Sequence, residues 1–134
     1  MSVKILLARS AGFCFGVSKA VDSVNRLLDE GKTVYTLGPI IHNPQLVAQL
    51  ESRGVRIVEA PEEAPPGATL VIRSHGVPRE IMDRIAALPL EVCDATCPFV
   101  RKIHRSAAGQ AARGACLLIA GHPNHPEEEG IRGH

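Results

Sequence analysis

The chain has 134 residues, 45% hydrophobic and 22% charged, with a net charge of +1 and 3% aromatics. It can bury the core of one domain, or of one and a fraction. It has neither the basic block for a phosphate backbone nor the rings for base stacking. No apolar run reaches the ~18 residues of a membrane span, and an apolar run from Val3 leaves no room for a leader, so the cytoplasm is expected. Four cysteines in such a chain suggest metal or catalysis more than disulfides.

Val3 to Ala8 reads as a buried strand. After the Arg9–Gly12 loop, Cys14 leads into a helix over Val17 to Glu30, closed by Gly31. Thr33 to Leu37 is a second strand, and Asn43 with Pro44 starts a helix that Gly54 ends. Strands follow at Val55–Val58 and Thr69–Ile72, separated by a Pro-rich loop. A short helix from Pro78 leads to the Leu90–Cys93 strand. Then comes the corner Asp94-Ala95-Thr96-Cys97-Pro98, a helix from Phe99 to Arg113, and a strand over Ala115 to Ala120. Strands alternating with helices predict an α/β fold with a mostly parallel sheet.

Cys14, His75, Cys97 and His125 each fall just after a predicted strand, and His42 four residues after one. In open α/β sheets that end of the strands is where ligands bind. The chain also repeats itself. Twenty-eight residues separate Cys14 from His42 and again Cys97 from His125, an offset of 83. At that offset Gly31 meets Gly114 and Gly38 meets Gly121. We read one β-α-β unit used twice, the second copy cut short at His134.

A cysteine at a strand-to-helix corner has free helix N–H groups to stabilise a thiolate, the form that ligates metal. Cys14 and Cys97 have that context. Cys93 and Cys116, inside predicted strands, read as core, and His104, among Arg101, Lys102 and Arg105, as surface. Of the acidic run Glu127 to Glu129, Glu127 has the best claim to face a site, two residues past His125. The residues leave two options open: zinc on thiolates and histidines, or an iron–sulfur group on the cysteines with an anion on the histidines. A third use of the repeat would bring a third cysteine, past His134. The cut-short unit also predicts exposed apolar surface at Ala115–Ala120, relieved by dimerisation or a disordered tail.

Five segments carry a specific likeness: Gly12-Phe13-Cys14-Phe15-Gly16-Val17, Ile41-His42-Asn43, Ser74-His75-Gly76-Val77, Asp94 to Pro98 with Lys102-Ile103-His104, and Gly121 to Glu127 with Gly130. In these the sequence resembles the N-terminal part of the LytB/IspH family, the 4-hydroxy-3-methylbut-2-enyl diphosphate reductases. The resemblance implies three similar α/β domains around a central [4Fe-4S] cluster held by three cysteines. Residues 1–96 would be the first domain and 97–134 the truncated start of the second. Cys14 and Cys97 would be cluster ligands, with the third beyond residue 134. His42, His75 and His125 would bind the substrate's diphosphate, and Glu127 would supply a proton. The implied reaction is reductive dehydroxylation to isopentenyl and dimethylallyl diphosphate, the last step of the non-mevalonate pathway, with ferredoxin or flavodoxin as electron donor. A fragment of this length would be inactive alone. The alternative expectation is a truncated anion- or zinc-binding module without catalysis.

Overall fold

The computed structural model of the chain describes residues 3–122 and 124–134. Helix α1 (Phe15–Asp29) turns Ala20, Val21, Val24 and Leu27 inward, the i, i+1, i+4, i+7 spacing of one helical stripe. Strand β1 (Val34–Leu37) follows. Helix α2 (Pro44–Ser52) starts where Asn43 accepts a hydrogen bond from the Leu46 N–H at 3.0 Å, with Pro44 in the first turn. Then come β2 (Arg56–Val58), a 3-10 turn at Pro61–Glu63, and β3 (Thr69–Ile72). Helix α3 (Arg79–Ala86), β4 (Glu91–Asp94), α4 (Pro98–Ala111) and α5 (Pro126–Arg132) complete the order.

The four strands form one parallel sheet in the order β2-β1-β3-β4. Both central strands are buried along their whole length, as expected when helices cover both faces of a parallel sheet. Alternation along each strand divides the core. Val34 and Val71 face a cluster with α1, Leu50 of α2 and Val55. Tyr35, Leu37, Leu70 and Ile72 face the opposite cluster, closed by Ile85 of α3. Full burial of one such aliphatic side chain stabilises by about 1.5–3 kcal/mol, so the β1–β3 pair anchors the molecule.

The central pair also fixes where a site can be. The chain leaves β1 toward β2 on one side and leaves β3 toward β4 on the other. The loops after β1 and β3 therefore diverge and open a crevice at the carboxyl ends of the strands. They carry His42 and His75. The two loops are tied by the Ser74 hydroxyl, which donates to the Ile40 carbonyl at 3.2 Å.

Two expected strands are not formed. Residues 3–8 and 115–120 belong to no strand. Leu7 is 88% exposed and Leu118 98%. A run of apolar residues gives a segment the capacity to be a strand, but a strand exists only against a partner edge, and none of the described strands pairs with either segment. Cys116 is accordingly exposed rather than core. Nor are residues 126–132 a structureless tail. They form α5, with Pro126 in its first turn and His125 at its N-cap.

Candidate functional site

The rings of His42 and His75 lie 4.5 Å apart between centroids. His125 joins them at 5.7 Å from His42 and 6.0 Å from His75. Three histidines spread over 83 residues of chain, from 42 to 125, thus meet at the crevice between β1 and β3. They meet at its mouth: His42 is exposed and His125 half-buried, while His75 is 8% exposed.

Each ring is held by a different device. His42 precedes the N-cap of α2. His75 occupies a turn closed by the Gly76 N–H bonding to the Arg73 carbonyl at 3.0 Å. His125 caps α5, its Nδ1 accepting from the Glu127 N–H at 3.3 Å. That bond occupies Nδ1 as an acceptor, so neutral His125 carries its proton on Nε2. The same bond seats Glu127, half-buried, on the first turn of α5 beside the cluster.

His75 is the electrostatically unusual member. Burial, reinforced by the nearby charges of His42, Arg73 and His125, lowers its pKa from the ordinary 6.5 to about 4. Its Nδ1 is buried without a hydrogen-bond partner. At neutral pH His75 is therefore a neutral imidazole, offering a ring N–H and no charge. A stability consequence follows. Between about pH 6.5 and 4 the unfolded chain binds a proton at His75 that the folded chain refuses. Stability supplied by this residue is thus complete above pH 6.5 and lost as the pH falls toward 4, an effect of roughly 3 kcal/mol. Urea denaturation of the wild type and His75→Asn from pH 7 to 4 checks this. Equal slopes for the two proteins would refute it.

The cysteines flank the histidines. Cys14 is the N-cap of α1 and Cys97 the N-cap of α4, where Pro98 opens the first turn. Neither N-cap side chain bonds to its helix, so both thiols are uncommitted. A Cβ added to Gly16 would lie 2.6 Å from the Cys97 sulfur. Only a glycine there lets the first turn of α1 approach Cys97, and this brings the two cysteine corners together. The Cys97 N–H also donates to the Ser74 carbonyl at 2.9 Å, joining the thiol corner to the His75 turn. Cys93 stands apart, half-buried in β4, its thiol pKa raised by burial.

Two thiols at converging helix starts suit an iron–sulfur group, whose usual ligands are thiolates. They are a partial set. Among the described residues no group of three or more histidine, cysteine or acidic side chains is placed to hold a metal ion. The donor chemistry fits two positions of such a group and leaves the rest to residues outside this set.

Two charged or titratable residues near the site, one half-buried and one buried, were not expected. Arg73, beneath the crevice, packs its guanidinium against Gly38. Burial lowers its pKa, opposed by Glu129 and Glu59. His104, expected on the surface, is 6% exposed. Val100, His104 and Ala107 form the buried stripe of α4 at i, i+4, i+7. That spacing was the available signal, masked by the charges around it.

The protein-family model described as LytB protein matches residues 5–134. A 4-hydroxy-3-methylbut-2-enyl diphosphate reductase of Thermoanaerobacter sp. (strain X514) is 42% identical over 135 residues, covering 98% of this chain and 47% of the relative. The reductase of the same name from Geobacter sp. (strain M21) is 45% identical over 129 residues, covering 96% and 46%. A solved (E)-4-hydroxy-3-methyl-but-2-enyl diphosphate reductase superposes with a TM-score of 0.81 at 44% identity, over 96% of this chain and 46% of that one. The corresponding reductase from Plasmodium falciparum gives 0.88 at 30% identity, over 93% and 40%. The chain spans about half the length of the curated relatives it matches. With the family model matching almost every residue and the parallel sheet shared with these solved structures, the chain belongs to the LytB family.

Proposed function

We propose that this chain supplies part of the active site of a 4-hydroxy-3-methylbut-2-enyl diphosphate reductase. The reaction removes the allylic hydroxyl of the substrate as water. The C–O bond breaks, two electrons enter, one proton goes to the leaving oxygen and one to carbon, giving isopentenyl or dimethylallyl diphosphate. The observation that carries the reading is the meeting of three histidine rings at the β1–β3 crevice, one backbone hydrogen bond from the Cys97 corner.

In this reading His42, His75 and His125 hold the diphosphate. A dense anion needs N–H donors more than hydrophobic surface, and clustered imidazoles provide them where one is already obliged to be neutral. Glu127, beside His125 at the start of α5, holds the proton that the leaving hydroxyl takes. Cys14 and Cys97 would ligate an iron–sulfur cluster of the [4Fe-4S] type, with a third thiolate from outside this chain. When bound, that cluster supplies the two electrons, delivered from a ferredoxin or flavodoxin in the cytoplasm. Residues 1–96 form the first repeat domain and 97–134 begin the second.

The chain itself tests the diphosphate assignment. Inorganic diphosphate, titrated calorimetrically, is expected to bind with a Kd on the order of 0.1–1 mM. Binding should tighten as the pH falls from 8 to 6, with proton uptake seen as a buffer-dependent enthalpy, because an anion favours the charged imidazole. A His42→Ala/His125→Ala variant should not bind. Equal binding by that variant, or no binding by the wild type, would sink the assignment. A chain that took up zinc stoichiometrically in place of diphosphate would favour the module reading.

A further inference from the structure

His104 has no part in the chemistry above. It is nevertheless buried, and its Nε2 finds no hydrogen-bond partner. Leaving a buried ring nitrogen unpaired costs stability, so the ring's value must be in its shape. Its neighbours show what that shape does. On one side is the turn that carries His75: a Cβ on Gly76 would lie 2.7 Å from the His104 Cε1. On another is α5, the helix that starts at His125. A Cβ on Gly130 would lie 2.8 Å from the His104 Nε2 and 3.7 Å from the His75 carbonyl oxygen. The ring stacks on His134 at 4.4 Å between centroids. A ring nitrogen of His134 lies 3.3 Å from the Val77 carbonyl. The Arg79 N–H donates to the Gly133 carbonyl at 3.3 Å, closing the same seam.

Gly76 and Gly130 thus allow two backbones to close on the His104 ring, and nothing larger than glycine fits at either position without displacing it. Those backbones belong to the elements that present His75 and His125. We infer that His104 is a positioning residue: seated against Gly76 of the His75 turn and Gly130 of α5, its ring sets how far apart His75 and His125 stand. The spacer geometry stands on the contacts alone. Its consequence for ligand binding rests on the diphosphate reading.

Two opposite perturbations test this on the 134-residue chain. His104→Ala empties the spacer, and Gly130→Ala adds a methyl against it. Alanine is the better helix former, so any loss in Gly130→Ala comes from the contact. The two single variants are expected to shift the nuclear Overhauser cross-peaks between the His75 and His125 ring protons at least about twofold in opposite directions, weaker in Gly130→Ala and stronger in His104→Ala. Each should also lower diphosphate affinity about tenfold, while amide protection in β1 and β3 stays at the wild-type level. The double variant, with the methyl in the vacated space, should return the cross-peaks toward the wild type and recover most of the affinity lost in each single variant, since contacting sites couple. Single variants with unchanged cross-peaks, or a double variant showing the sum of the two affinity losses, would overturn the inference. Should His104→Ala fail to fold, Gly130→Ala decides alone. A wild type that binds no diphosphate counts against the proposed function only, because the cross-peaks still report the spacer.

Discussion

Cys97→Ser is expected to remove both colour and turnover from a chimera that joins this chain to the remaining half of the Geobacter relative. After anaerobic reconstitution the parent chimera should be brown, with a visible thiolate-to-iron absorption. The variant should lose that absorption and with it at least about 10³ of the reductase rate, since a serine hydroxyl is not ionised at neutral pH and is a poor ligand for iron. The geometry adds a second route to the same result. The Cys97 sulfur sits 2.6 Å from where a Gly16 Cβ would be, so Gly16→Ala should push the two cysteine corners apart without replacing either cysteine. Its absorption is expected to fall while the sheet melts as in the parent. A brown, active Cys97→Ser chimera would remove the cysteine assignment. A Gly16→Ala chimera indistinguishable from its parent would show that the convergence of α1 and α4 is incidental.

Glu127→Gln should leave the chimera brown and able to bind substrate but slow it by at least about 10² in kcat, the scale of a lost proton donor. Glutamine keeps the shape and hydrogen-bonding reach of the side chain but has no carboxyl group to take up and release a proton. The backbone bond from residue 127 to the His125 Nδ1 is independent of the side chain, so the histidine cluster should keep its geometry and KM should stay within about threefold. The measurement is steady-state reduction with a chemical electron donor, alongside the visible spectrum. A kcat near that of the parent would transfer the proton role to another group, and a large rise in KM with unchanged kcat would make Glu127 a binding residue.

Local rules account for what the sequence disclosed. The apolar stripe of α1, the Asn43–Pro44 start of α2 and the Leu70–Ile72 run of β3 are decided within a few residues, and each formed within a residue or two of its expected bounds. For His42 and His75 the meeting was legible for a topological reason: residues that follow parallel strands share one end of a sheet wherever they lie in the chain, whereas His125 follows no formed strand and is placed by the start of α5. What was misread depended on partners. Residues 3–8 and 115–120 have strand composition but no edge to pair with. His104 is buried because the chain folds α5 and the Gly76 turn over it, which the neighbouring Arg101, Lys102 and Arg105 concealed. Helix α5 was hidden in an acidic run. Glu127, Glu128 and Glu129 fill its first turn, where the helix dipole favours negative charge.

The sheet's single direction has a practical corollary. The candidate site's histidines and thiols sit on one rim, so the opposite rim is the better side for handling. The Arg53–Gly54 turn enters β2 from that far rim, and both residues are exposed. A fluorophore or an immobilisation tag anchored through the exposed Ser52, just before this turn, would report on or tether the molecule from behind, leaving the face that carries the histidines and thiols open to whatever docks there.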